Sequence, residues 1–354
     1  MPNAPSDRGL TMGASTVHNN NFNLIRLLAA LQVLTVHALF HFGYDGPLVS
    51  ALEIVPGVPV FFFMSGYLIC TSYRRMRERG LVPFFTNRFL RIYPALWVCV
   101  AVSTLAVALT GFYASQVVAP HRFVLWLLGQ ATFFQFYNPD FMRPFGVGVL
   151  NGALWTITVE LQFYMLAPLL FHLLERRRAL LLILFGLSMA TNLYLGHTDR
   201  SALSMKLLQV SFVPWVYMFM VGFVAAFFDR VADSVKRIPF WILVPPFLLS
   251  MFVVGTYEAN ASNRINPLSF AILSAVLLRL STTRLPVLRS AQRFVANSDF
   301  SYGVYLYHMP VINMLIFLGW TSSGIGVGLA FTATMVAAAL SWYLVERPSL
   351  RYKR

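Results

Sequence analysis

Apolar and polar residues alternate along this chain in blocks rather than in the short periods of a soluble domain. Runs of apolar residues occupy about 23–42, 57–73, 89–111, 152–174, 178–196, 203–228, 239–256, 264–281, 300–320 and 324–345, separated by short polar or basic loops. Most of these runs reach or approach the ~20 residues a helix needs to cross a bilayer. The pattern predicts an all-α polytopic integral membrane protein with about ten transmembrane helices. Segment 121–137 is too short and too aromatic to span, and is expected as an interfacial or re-entrant helix. Residues 1–22 are rich in Pro, Asn, Ser and Gly, without the apolar stretch of a signal peptide, and read as a flexible cytoplasmic tail ahead of one membrane domain over 23–354.

Composition agrees: 58% of the residues are hydrophobic and only 11% charged, where a soluble domain carries roughly 25%. The net charge of +14 would in a soluble protein suggest nucleic acid. Here the basic residues sit in loops of alternate sides, as the positive-inside rule predicts, so no nucleic acid is expected as a partner. Placing the N-terminus inside puts 21 Lys and Arg on the inner side and 5 on the outer, with Arg26 inside the first span. Both termini are therefore expected in the cytoplasm. Cys70 and Cys99 lie within apolar runs and supply neither a disulfide framework nor a metal set.

Within this frame several polar residues stand at membrane depth. Arg26 and His37 are eleven residues apart in the first run, close to three helical turns, so they share a face ~16 Å apart along the axis. An ionisable pair kept on one face at that depth is a functional-site hypothesis, although Arg26 taken alone could equally snorkel to the interface. Ser65-Gly66 interrupts an aromatic run and reads either as tight helix packing or as a place where a thin ligand approaches. Ser65 has no local base to make it a nucleophile. Arg88 and Arg91, three residues apart, suit a phosphate-bearing ligand, whereas Arg74–Arg79 read as a topology signal with anionic-lipid contact. Thr156, Glu160 and Tyr164 share one face just after Trp155, and an intramembrane carboxylate there points to function. Ser301, Tyr305 and His308 share another, as a buried network or as the wall of a polar cavity. Asp299 reads as a helix N-cap. Gly324 and Gly328 read as an ordinary helix-packing pair. His37, His41 and Asp45 invite a zinc reading, but Gly43 is expected to end the helix before Asp45, so no metal site is expected.

Taken in order, Arg26-x10-His37, FFFMSGY around Ser65, NRFLRIYP at Arg88 and Arg91, WTITVELQFY around Glu160, SYGVYLYH ending at His308 and Glu346-Arg347-Pro348 resemble the membrane acyltransferase-3 family of bacterial O-acyltransferases. Pro59, ahead of FFFMSGY, departs from the expected small or aliphatic residue. The resemblance implies a bacterial inner-membrane enzyme with no bound cofactor. It implies acyl-CoA, most simply acetyl-CoA, as cytoplasmic donor and a surface or lipid-linked carbohydrate as acceptor, with glycan-assembly proteins as candidate partners. On that basis Arg88, Arg91 and Arg26 are expected to hold the coenzyme phosphates. The pantetheine arm would pass Ser65 along a wall completed by Trp155, Tyr164, Tyr305 and His308. His37 is expected as general base, with Glu160 orienting its imidazole. The competing class is a transporter or flippase for a lipid-linked glycan, which would use Arg26, His37, Glu160 and His308 as a path for substrate or protons. The absence of a visible inverted repeat counts against it.

Overall fold

A computed structural model describes residues 21–44, 46–116, 118–199, 202–254, 265–283, 292, 295, 298–321 and 324–353. The expected tail over residues 1–20, Asp45 of the zinc reading, and parts of the predicted runs 239–256 and 264–281 lie outside the described residues. Among the described residues the chain is helical and contains no strand. The principal helices are α1 (Phe22–His41), α2 (Gly57–Met76), α3 (Leu81–Leu109), α4 (Pro120–Ala131), α5 (Trp155–Arg176), α6 (Arg178–Leu195), α7 (Val216–Phe227), α8 (Asp229–Arg237), α9 (Phe240–Val254), α10 (Pro267–Ser281), α11 (Ser301–Phe317) and α12 (Gly324–Ser341).

Six helical stretches among the described residues are long and apolar enough to cross a membrane, or seven if α8 and α9, bent by 94° at their junction, form one broken span. The apolar pattern predicted about ten. The difference arises where runs are broken or short. The run 203–228 divides into Leu203–Gln209 and α7, because Pro214 removes a backbone donor where a continuous helix would need one. The opened backbone is closed by one side chain: Gln162 donates to the Val210 carbonyl at 2.8 Å and accepts from the Phe212 amide at 2.8 Å. α4 stops at Ala131, well short of the predicted 137. In the other direction, α3 begins at Leu81, eight residues before the predicted run, since Pro83 stands in its first turn, where proline costs no hydrogen bond. Arg88, just ahead of the predicted run, is consequently helical as Arg91 is.

Two close helix contacts organise the bundle. α2 and α7 meet at Gly66 and Gly222, where a Cβ on either glycine would collide with the backbone of Phe219 or Phe63. Gly66 is thus a packing residue, while its neighbour Ser65 is left facing a cavity. α11 runs through the interior, every residue from Ser301 to Pro310 being buried, and approaches α12 where Gly303 faces Ala338. That pair, rather than Gly324 and Gly328, makes the close approach: a Cβ on either of the latter would meet nothing within 4 Å. Pro59 lies in the first turn of α2, where a missing N–H is harmless. Beyond α12 the helix widens into a π-turn, Trp342–Glu346, before the short helix Arg347–Leu350.

Candidate functional site

Two cavities that share lining residues penetrate the bundle from its basic end. The outer one has a volume of ≈ 890 Å³ and is bordered by Arg74, Arg75, Arg88, Tyr164 and Lys353, within the range of small-molecule sites. It narrows to a chamber of ≈ 30 Å³ bordered by Phe61, Phe62, Thr156, Tyr302 and Tyr305, only a few water molecules in size. Arg26, Ser65 and Glu160 border both and mark the neck between them.

Each residue of the neck is held by a partner from a distant part of the chain. Ser65 on α2 donates to Glu160 Oε1 at 3.1 Å, and Tyr164, one turn along α5, donates to the same oxygen at 2.5 Å. The Thr156–Glu160–Tyr164 face is therefore turned into the cavity, and the base that Ser65 lacks in its own segment is supplied across the bundle. Arg26 Nη1 pairs with Asp299 Oδ2 at 2.7 Å, and Arg91 Nη2 reaches the same oxygen at 2.5 Å. The other Asp299 oxygen accepts from the Ser301 hydroxyl at 2.5 Å and from the Ser301 amide at 3.3 Å. Arg91 also approaches Glu346 Oε2, at 3.8 Å. Asp299 thus does more than cap α11: it is the counter-ion joining α1, α3 and α11. Sequence reading missed that role because an aspartate before a helix already has a sufficient local explanation. Of the three arginines expected to bind phosphate, two share this carboxylate. Arg88 makes no ion pair among the described residues. It donates to Ser72 Oγ at 3.1 Å and lies over the Tyr164 ring at 5.8 Å, while its buried Nε has no partner.

Past the inner chamber lies the imidazole cluster. Tyr305 borders the chamber. Its hydroxyl bonds Thr156 Oγ1 at 2.7 Å, and its ring lies 5.5 Å from that of His308. His308, fully buried, has Nδ1 2.7 Å from the Tyr305 carbonyl and Nε2 3.0 Å from His37 Nδ1. A carbonyl only accepts, so His308 Nδ1 carries a proton, and in the neutral imidazole Nε2 accepts. His37 Nδ1 then donates, and His37 Nε2 is left with its lone pair. The partner of His37 is accordingly His308 and not Glu160, which is engaged one helix face away by Ser65 and Tyr164. His37 itself borders neither cavity. Trp155 stands outside the cavities as well, its ring 5.3 Å from that of Trp215 and tilted by 47° to it.

A polytopic helical protein with a basic-mouthed tunnel leading toward a histidine pair has the construction of a membrane-embedded group-transfer enzyme. The comparisons specify which group: residues 19–346 match the family described as "Acyltransferase domain", so the chain belongs to the acyltransferase-3 family and is a multi-pass O-acyltransferase. It is 32% identical to nodulation protein 10 of Rhizobium leguminosarum bv. viciae, covering 96% of this chain and 95% of that protein. It is 25% identical to an O-acetyl transferase of Shigella phage Sf6, over 94% of this chain and 96% of that one. It is also 26% identical to the peptidoglycan O-acetyltransferase OatA of Listeria monocytogenes, over 92% of this chain but only 54% of that protein. No solved structure matches.

Proposed function

We propose that the enzyme transfers an acyl group, most simply acetyl, from cytoplasmic acyl-CoA to a hydroxyl of a surface or lipid-linked carbohydrate in the bacterial inner membrane. The observation that carries this reading is the tapering cavity, wide and cationic at Arg88 and thin at Ser65 and Tyr305. That taper matches a coenzyme with a bulky polyanionic head and a narrow arm ending in a thioester. The carbohydrate acceptor is supported by relatives named as O-acetyltransferases, one of them acting on peptidoglycan.

In this reading Arg88 receives the nucleotide phosphates, its unpartnered Nε supplying a donor that gains a strong acceptor only when an anion arrives. Asp299 holds Arg26 and Arg91 in place, so these two shape the neck and set its field more than they clamp phosphate. The pantetheine arm passes Ser65, where the Glu160 carboxylate offers an acceptor to its amide N–H groups. A movement of the Tyr305 ring then admits the thioester to His37. His37 Nε2 takes the proton of the acceptor hydroxyl as its oxygen attacks the thioester carbonyl. The C–S bond breaks, coenzyme thiolate leaves, and the imidazolium returns a proton to it. His308, fixed by the Tyr305 carbonyl, holds the His37 ring in the tautomer this requires. No step needs a bound cofactor.

The test is transfer of label from [14C]acetyl-CoA to glycan in membrane vesicles. Wild-type enzyme is expected to esterify the glycan, and His37→Ala to insert normally yet leave it unlabelled. Full labelling by that variant would overturn the assignment of the base. Transport of glycan by the wild type without consumption of the thioester would overturn the reaction.

A further inference from the structure

The outer cavity is ringed by more positive charge than its own carboxylates neutralise. Arg26 and Arg91 share Asp299, and Arg74 pairs with Asp229 at 3.0 Å. Lys353 also borders this cavity and makes no ion pair among the described residues. Sequence reading gave it no role, treating it as one more basic residue near the inner surface.

The local structure explains how it reaches the cavity. After α12 the π-turn Trp342–Glu346 adds a residue to one helical turn and so rotates everything that follows. The turn is pinned by Ser341 Oγ donating to Glu346 Oε1 at 3.0 Å and by the approach of Glu346 to Arg91. The short helix Arg347–Leu350 then lies along α3, the helix that carries Arg88 and Arg91. Trp342, Leu350 and Lys353 all face the cavity as a result. Lys353 stays exposed at this mouth, and partial desolvation there, with the charges of Arg91 and Arg88 behind it, brings its ammonium down to about 8. A cation placed among cations, beside an arginine whose Nε is buried and unpartnered, is the arrangement of a site completed by a polyanion.

We infer that Lys353 and Arg88 together form the phosphate-binding mouth of this enzyme, with Lys353 contacting the phosphates of the donor's nucleotide head. The inference rests on the acyl-CoA reading above and adds to it a residue delivered by the π-turn. A phosphate-bearing lipid headgroup would offer the same chemistry at the same place, so the test separates the two sources.

Acetyl-CoA binding is measured by calorimetry on purified enzyme in nanodiscs of phosphatidylcholine, and again in discs containing phosphatidylglycerol. In neutral discs Lys353→Ala is expected to weaken binding about tenfold, and Lys353→Arg to retain it. Equal affinities of Lys353→Ala and wild type in neutral discs would overturn the inference while leaving the donor assignment intact. An effect confined to phosphatidylglycerol discs would overturn it in favour of a lipid headgroup. Failure of the wild type to bind acetyl-CoA in either disc would instead remove the donor reading, and this inference with it.

Discussion

His37 Nδ1 and His308 Nε2 stand 3.0 Å apart, on helices α1 and α11 that are far separated in the chain. Because the far nitrogen of His308 faces a carbonyl, the proton order along this pair is determined, and the free lone pair falls on His37 Nε2. The residue that prepares the base is thus itself a histidine. Replacing it should act on the chemical step rather than on binding: His308→Ala is expected to lower kcat by about 10²-fold or more with KM for acetyl-CoA little changed, as for the orienting member of a hydrolase triad. Steady-state kinetics at saturating acceptor checks this, and a rise in KM with kcat preserved would assign His308 to the donor path instead.

Asp299 serves two guanidinium groups inside the bundle. Removing its charge leaves Arg26 without a counter-ion and Arg91 with only Glu346, 3.8 Å away, a loss of about 3–5 kcal/mol for a broken buried pair. Asp299→Asn should therefore lower the Tm of the detergent-solubilised protein clearly, while the Arg74→Ala change at the exposed pair with Asp229 should shift it little. Similar Tm values for the two variants would show that the Asp299 network does not hold the helices together.

Arg88 offers an unpartnered donor to the cavity, whereas Arg91 is already bound to Asp299. Arg88→Ala is accordingly expected to raise the Kd for acetyl-CoA about tenfold or more without loss of fold. Arg91→Ala should mainly destabilise the protein. Parallel calorimetry and thermal melts distinguish the two, and an exchange of these phenotypes would reverse the division of roles.

The donor's affinity should also depend on pH through Lys353. Its ammonium is charged below about 8 and neutral above. The attraction to phosphate is present at the lower pH and is lost as pH rises through that value. Acetyl-CoA binding is expected to weaken between about pH 7 and 9 in the wild type and to stay flat in Lys353→Arg. Parallel profiles for the two proteins would locate the titration elsewhere.

A change at the α2–α7 contact should act on assembly rather than on chemistry. Gly222→Ala places a Cβ against the Phe63 backbone, which cannot move aside without separating the helices. Loss of folded protein in the membrane is expected, measured as a fall in monodisperse yield. Normal yield with normal activity would mean that the contact relaxes freely.

Much of the arrangement is legible in the sequence. Helical period placed Thr156, Glu160 and Tyr164 on one face, and Ser301, Tyr305 and His308 on another, since a helix imposes its repeat on any sequence it contains. The scarcity of charge identified a membrane protein, and the order of motifs identified the family. Only the tertiary structure decided which of those faces meet. Glu160 found Ser65 rather than His37, His37 found His308, and Asp299 captured two of the three arginines assigned to phosphate. Lys353 came to the cavity through a π-turn that leaves no periodic mark. Periodicity describes one helix at a time. The pairing of polar groups depends on which helices are adjacent and at what depth, and that is settled by glycine contacts such as Gly66–Gly222 and by the need of every buried charge for a partner.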